Sequence, residues 1–321
     1  YDVKGQLDVF VEPPTPLQVV NKRWEFHDSN WWPDFPSSAK KMQWFYEHSS
    51  GRTVDGVITI NATVLEKFLA VVGPVENDEY DVVLTAETGL DTLQRQVEIE
   101  YDHEANTPKA IIGDMVEQFL SLGEHLDNGK IMQLLTVLHT SAESKDIQAY
   151  MNDDAVQSVF QDFGWAGKIF DTQKEQDYLM VVNTNLQGQK SDAKITQHVE
   201  HQAVVQEDGS IIDTVVVRRR HEGNPGELFY GGMNINYMRV YVPEGAILLD
   251  AGGFSYPAEE DFKIPESWYE KDVDLANHEQ REQFHDETGT RIIESFGKTV
   301  FENWVATAPG EESQAYFVYK L

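Results

Sequence analysis

Ile195-Thr-Gln-His-Val-Glu-His-Gln-Ala-Val-Val205, then Glu207-Asp-Gly-Ser210, then Ile211-Ile-Asp-Thr-Val-Val-Val-Arg-Arg219 is the stretch on which the fold turns. Side chains alternate between apolar and polar through both arms, the period-2 signature of a strand with two different faces. The turn Glu207 to Ser210 between the arms carries the Asp-Gly chemistry that a tight reversal needs. A long antiparallel hairpin follows. Moving toward the C-terminus, Tyr237 to Val242 and Ala246 to Leu249 read as strands split by Pro243-Glu244-Gly245. Ile292-Ile293, Thr299 to Ala306 and Ala315 to Tyr319 resume the pattern, with Pro309-Gly310 as a turn. Short strands at regular spacing with Gly and Pro turns predict an antiparallel β-sandwich over residues 191–321. A Pro-bearing, aromatic and strongly acidic insert interrupts it at 256–286.

Toward the N-terminus the period changes from 2 to 3.6. Gln6 to Val11 reads as a strand, and Pro13, Pro14 and Pro16 then break regular structure. A loop dense in aromatic and acidic residues runs from Arg23 to Pro36. Ser37 or Ser38 is placed to cap a helix carrying Met42, Phe45 and Tyr46, which Gly51 closes. Val54 to Ile60 is β-branched and short, Asn61 is placed to cap a helix over Thr63 to Val72, and Gly73-Pro74 stops it. Strand, cap, helix and stop make a β–α unit. Between Thr85 and Phe163 the pattern is helical, with Ile111, Met115, Phe119 and Leu122 on one predicted core face and Met132, Leu135 and Leu138 on the next. Tyr178 to Val182 reads as a further strand. The expectation is an α+β multidomain chain: a layered α/β domain with a helical insertion over 1–190, then the β-sandwich over 191–321.

Composition narrows the function. With 40% hydrophobic and 11% aromatic residues, the 321-residue chain has apolar surface for two cores. Its 25 basic against 55 acidic residues give a net charge of −30. Such a polyanion repels phosphate backbones, so nucleic acid is excluded as a partner. Clustered carboxylates leave a divalent ion, Mg2+ or Ca2+, as the conceivable cofactor. Cysteine is absent, which removes disulfides, thiolate metal sites and thiol catalysis. No apolar run reaches bilayer length. No Gly-x-Ser-x-Gly elbow, phosphate-binding Gly-rich loop with Lys, dinucleotide fingerprint or His-Glu-x-x-His helix occurs.

Several stretches then line up in order: Asp28-Ser29-Asn30 with Pro33-Asp34-Phe35-Pro36, Val54-Asp55-Gly56-Val57-Ile58, Val72-Gly73-Pro74-Val75, Gly164-Trp165-Ala166-Gly167, and Asp177-Tyr178-Leu179 through Asn185 to Asp192. Together with Tyr237 to Gly245 they resemble domain of unknown function family 4012, found in bacterial membrane-anchored surface proteins. That resemblance implies an anchor upstream of Tyr1, a location on the extracellular face of the cell membrane, and a cell-envelope polymer or surface protein as partner. A more distant likeness, confined to Val54 to Val75, is to the LytR-CpsA-Psr transferases, which act on polyprenyl-pyrophosphate-linked glycopolymers.

Phosphoryl chemistry of that kind needs cations on a pyrophosphate and carboxylates on a metal or an acceptor hydroxyl. Arg23, Asp28, Asp34, Asp55, Lys190 and Asp192 supply those groups. The competing reading makes Asp28, Asn30 and Asp34 loop residues that bond their own backbone, and makes Lys190 and Asp192 a hinge. His278 and His285 lie seven apart and would share one face of a helix with Glu282 near. His198 and His201 lie three apart on a strand, hence on opposite faces. The one basic run, Arg218 to His221, is expected to pair with local acids. The leading expectation is a binding or structural module of the cell envelope, with the transferase as the alternative.

Overall fold

The computed structural model describes residues 7–101, 103–104, 107, 109–123, 125–173 and 176–321. The expected strand over Gln6 to Val11 does not form: Gln6 lies outside the described residues, Leu7 to Phe10 are irregular, and Val11 makes only an isolated bridge to Glu270, as the prolines that follow leave the segment no continuous ladder. The chain divides into two compact units. One is built from Leu7, Asp8 and Phe26–Ile169, the other from Val9–Glu25 and Phe170–Leu321. The division falls after Ile169, and residues 170–190 go with the β-rich unit because their strand pairs there.

The first unit holds α1 (Phe35–Ser50), β1 (Gly56–Ile60), α2 (Thr63–Val72), β2 (Val75–Asn77), β3 (Val82–Leu84), α3 (Gly89–Glu98), α4 (Ala110–Gly123), α5 (Asn128–Glu143), β4 (Ile147–Met151) and α6 (Asp154–Asp162). Asp34, rather than Ser37 or Ser38, caps α1: its carboxylate accepts from the Ser37 backbone N–H. Gly51 ends α1 in the left-handed region (φ 68°), where a side chain is strained. The predicted β–α unit forms, but β1 pairs antiparallel with β4, and β2 with β3 forms a second two-stranded sheet. Asn61 does not cap α2. Its side-chain amide donates to Asp146 Oδ1 at 3.2 Å, while the cap position is Ala62.

Leu69, Val75, Leu84, Ile111 and Met115 form one buried cluster of this unit, with Phe119 and Leu122 packed on it, as the α4 periodicity predicts. The α5 stripe differs. Met132, Leu135 and Leu138 are exposed by half or more (63, 52 and 50%). The inward face of α5 carries Leu134, Val137 and Ser141 instead, and Lys67 Nζ on α2 reaches Ser141 Oγ at 3.4 Å. Leu134 and Val137 give α5 a second apolar spacing, and that face packs inward while the Met132 stripe faces solvent.

The second unit holds β5 (Met180–Asn185), β6 (Ile195–Val205), β7 (Ile211–His221), β8 (Asn234–Pro243), β9 (Ile247–Gly252), α7 (Val273–His278), β10 (Gln280–Phe284), β11 (Arg291–Ser295), β12 (Lys298–Thr307) and β13 (Glu312–Lys320). Every strand pairing is antiparallel. The predicted hairpin is β6–β7, in register from Ile195 opposite His221 to Val205 opposite Ile211. One sheet has the order β10-β11-β12-β8-β5 and the other β6-β7-β13-β9. Val215 and Val217 of β7, Val240 of β8, Phe301 and Val305 of β12 and Phe317 of β13 close one core between the sheets. That is the sandwich the alternation predicts.

Strands β8 and β12 are buried on both faces. Their outer face is covered by chain from both sides of the first unit: Phe262 lies edge-on to Trp304 at 6.2 Å, and the Lys263 N–H donates to Gln18 O at 2.8 Å. The acidic insert thus folds back on the sandwich and contributes β10 as an edge strand. At Gly253 (φ 87°) a Cβ would run into the Gln314 carbonyl oxygen, so glycine is required where β9 leaves the sheet.

Candidate functional site

The six residues expected to carry phosphoryl chemistry are shared between the units, with Asp28, Asp34 and Asp55 in the first and Arg23, Lys190 and Asp192 in the second. Asp34 is buried. One of its oxygens accepts from Ser37 N–H at 3.2 Å and Ser37 Oγ–H at 2.7 Å, and the other from the Ile169 N–H at 3.0 Å. With the Phe35 N–H donating to Gly167 O at 3.0 Å, these bonds tie the two ends of the inserted segment 26–169 together. Asp28 lies 3.1 Å from His27 Nε2. Asp55 is exposed, and its backbone carbonyl accepts from the Asn152 N–H at 2.8 Å.

In the second unit, Arg23 is buried, with its guanidinium 4.3 Å over the Phe10 ring and Nε 3.7 Å from Glu25. The Lys190 backbone N–H donates to Phe229 O at 3.0 Å. Asp192 accepts from Asn234 Nδ2 at 2.8 Å and from Arg219 at 3.3 Å. Arg219 also donates to Asn183 and to Asn234 (3.0 Å). The basic run pairs locally as expected, Arg218 reaching Glu200 at 2.5 Å.

The two distal histidines do not share a helix face. The helix α7 ends at His278, which stacks on Phe296 at 4.6 Å, and β10 intervenes before His285, whose Nδ1 lies 3.0 Å from Thr288 Oγ1. His198 and His201 point to opposite faces of β6. His198 stands opposite Arg218 and His201 opposite core-facing Val215.

A buried ion network lies on the outer face of the five-stranded sheet. The Arg291 guanidinium meets Glu302 at 2.6 Å, Glu279 at 2.8 Å and Glu282 at 2.5 Å. Tyr237 Oη donates to Glu302 at 2.9 Å. Burial is the largest influence on Glu302 and raises its carboxyl above the usual range, against the pull of Arg291. Burial works against the Arg291 charge too, but Glu302 and Glu279 outweigh it and its pKa rises. Arg239, buried opposite Glu302 on β8, adds a second cation to the three carboxylates, and the group borders a cavity of about 140 Å³ lined partly by Tyr256, Phe284 and Trp304. The sequence signal is Glu302 itself, a charged residue inside the apolar strand Val300-Phe-Glu-Asn-Trp-Val305.

In the first unit a cleft of about 550 Å³ lies between α1 and β1. Phe26, Met42, Tyr46, Val57, Ile58 and Met151 line it, and Ile58 is 57% exposed at its mouth. A concave, mainly apolar site of this volume suits a small ligand or an aliphatic chain, and methionine adapts to irregular shapes. Phe26 lies 6.1 Å from Tyr46, so the aromatic loop supplies one wall. For a metal, the described residues bring Asp177, His201 and Asp213 together, with one ligand atom from each lying within 4.8 Å of the others. Asp213 shares the inward parity of Val215 and Val217, which marks it in the sequence as a carboxylate aimed at a core.

The model of a family described as "Protein of unknown function (DUF4012)" matches residues 5–97. The motifs at 164–192 and 237–245 lie outside that stretch. No curated protein and no solved structure matches the chain. Among the described residues, no helix is long and apolar enough to cross a membrane.

Proposed function

We propose that this chain, whose residues 5–97 carry the match to a family of unknown function, is a binding module of the bacterial cell envelope. It stands at the cell surface, held by an anchor upstream of it as the family resemblance implies, and its helical unit takes an apolar ligand or an apolar part of an envelope polymer or surface protein. The observation that carries the reading is the 550 Å³ cleft between α1 and β1. Apolar walls left open to water are costly unless something fills them. The net charge of −30 directs such a ligand toward uncharged or cationic chemistry at the mouth.

The test uses the full chain. A neutral solvatochromic dye and a polyprenyl-pyrophosphate lipid with Mg2+ are titrated separately, and the lipid is also followed for turnover. Saturable dye binding is expected, weakened about tenfold or more by Ile58→Asp, which puts a charge at the mouth. Dye binding unchanged by I58D would refute the cleft as the site. Lipid turnover would replace the binding-module reading with the transferase.

A further inference from the structure

We propose that Asp177, His201 and Asp213 form a binding site for one divalent first-row transition-metal ion, Zn2+ or Mn2+, that ties the two sheets of the sandwich together. Asp213 is fully buried, and neither of its carboxylate oxygens has a hydrogen-bond partner. A buried carboxylate that accepts nothing is among the most costly groups a core can hold, and it persists where a cation meets it. Beside it, Tyr319 stands directly opposite Asp213 in the β7–β13 register, and its buried hydroxyl is likewise without a partner. The two groups face the same inner surface with their polar atoms unsatisfied.

The register brings the third group in. His201 lies opposite Val215, two residues from Asp213, so its ring falls on the inner face diagonal to the carboxylate. Its Nε2 is 3.4 Å from Asp213 Oδ1. That is the separation of two ligands each about 2.1 Å from one ion at a tetrahedral angle. The His201 side chain is 26% exposed, which leaves a path from solvent. Asp177 precedes β5 of the other sheet and completes the set within 4.8 Å. Two carboxylates with one imidazole favour Zn2+ or Mn2+ over Ca2+ or Mg2+, which take oxygen alone. Because β6 and β7 belong to one sheet and Asp177 leads into an edge strand of the other, an ion here would clamp the open side of the sandwich.

The full chain is stripped with chelator and titrated calorimetrically with Zn2+ and with Mn2+, and its melting temperature is followed in parallel. Expected are one high-affinity ion per chain, a melting temperature that rises with metal concentration, and a loss of affinity of about tenfold or more in His201→Ala and Asp213→Asn. His198→Ala, on the opposite face of the same strand, retains full affinity. Asp213→Asn further separates metal from packing: relieved of a buried carboxylate that accepts no hydrogen bond, it melts higher than wild type without metal and lower than wild type with it. Affinity that survives both His201→Ala and Asp213→Asn, or binding spread over many weak sites, assigns the metal to the acidic surface and overturns the proposal. The absence of any binding overturns it as well.

Discussion

Replacing Asp34 by Ala removes three hydrogen bonds and no catalytic group. Losing an N-cap acceptor costs about 1 kcal/mol, within a range of roughly 0.5–2. The Ile169 N–H, on a residue only 6% exposed, is then left buried without an acceptor, which costs about 1–3 kcal/mol. The two effects touch different amides and should nearly add, giving about 2–4 kcal/mol on the helical unit. Asp34→Asn keeps one carbonyl oxygen, enough for either the cap or Ile169, and should recover about half. Urea unfolding followed by far-UV circular dichroism gives the free energies, and hydrogen exchange at the Ser37 and Ile169 amides locates them. A loss below about 1 kcal/mol in D34A, or unchanged protection at Ile169, would refute the assignment of Asp34 as a staple and return it to the phosphoryl-transfer candidates.

Arg291→Met should destabilise the sandwich by about 3–5 kcal/mol near neutral pH, since Glu302 and Glu279 lose their counter-charge. Glu302 is already shifted upward by burial. A raised carboxyl pKa means that stability falls as pH rises from the unfolded value through the folded one. The R291M deficit should therefore grow with pH and shrink toward pH 4, and denaturation at several pH values checks this. Lys67→Met should cost about 0.5–1 kcal/mol, the pair being half-exposed. Its hydrogen bond is the largest of the influences that hold Asp146 low, so the loss should be present above the ordinary aspartate range and vanish as pH falls through the depressed folded value. The triple change of Met132, Leu135 and Leu138 to Ser should leave unfolding within about 1 kcal/mol of wild type, because those side chains already face solvent, while lowering the retention of the chain on a hydrophobic-interaction column. Gly253→Ala should prevent soluble accumulation of the folded chain, since the clash is with backbone that cannot yield.

The sandwich was legible because alternation reports directly on a sheet with one buried face, and β6–β7 formed in the register its turn implies. What escaped the sequence depended on distant chain. Ser37 and Ser38 were local candidates for the α1 cap, but Asp34 serves because its second oxygen meets Ile169, which no local pattern reveals. Asn61 was drawn away from α2 by Asp146 in the same manner. The α5 stripe misled because Leu134 and Val137 offer a second apolar spacing on the same helix, and only the packing of the unit chooses between the two faces. His278 and His285 shared a face only if one helix held both, and the pairing of β10 with β11 claimed the residues between. Asp213 was readable from parity alone, whereas Arg291 gains its meaning only when β11, β12 and the insert converge.

The staple at Asp34 also bears on the order in which the protein can be completed on the ribosome. Residues 26–169 are contiguous and closed by their own ends, so the helical unit can finish as soon as Ile169 emerges. The segment Val9–Glu25 belongs to the β-rich unit and must wait for partners such as Lys263 and Glu270, translated roughly 250 residues later. At about 5–20 residues per second, that is a delay of roughly 12–50 s. A stretch left unpartnered that long has to be a poor partner for everything else. Pro13, Pro14 and Pro16 take three amide donors out of it, so the same residues that break its regular structure protect it while the rest of its unit is made.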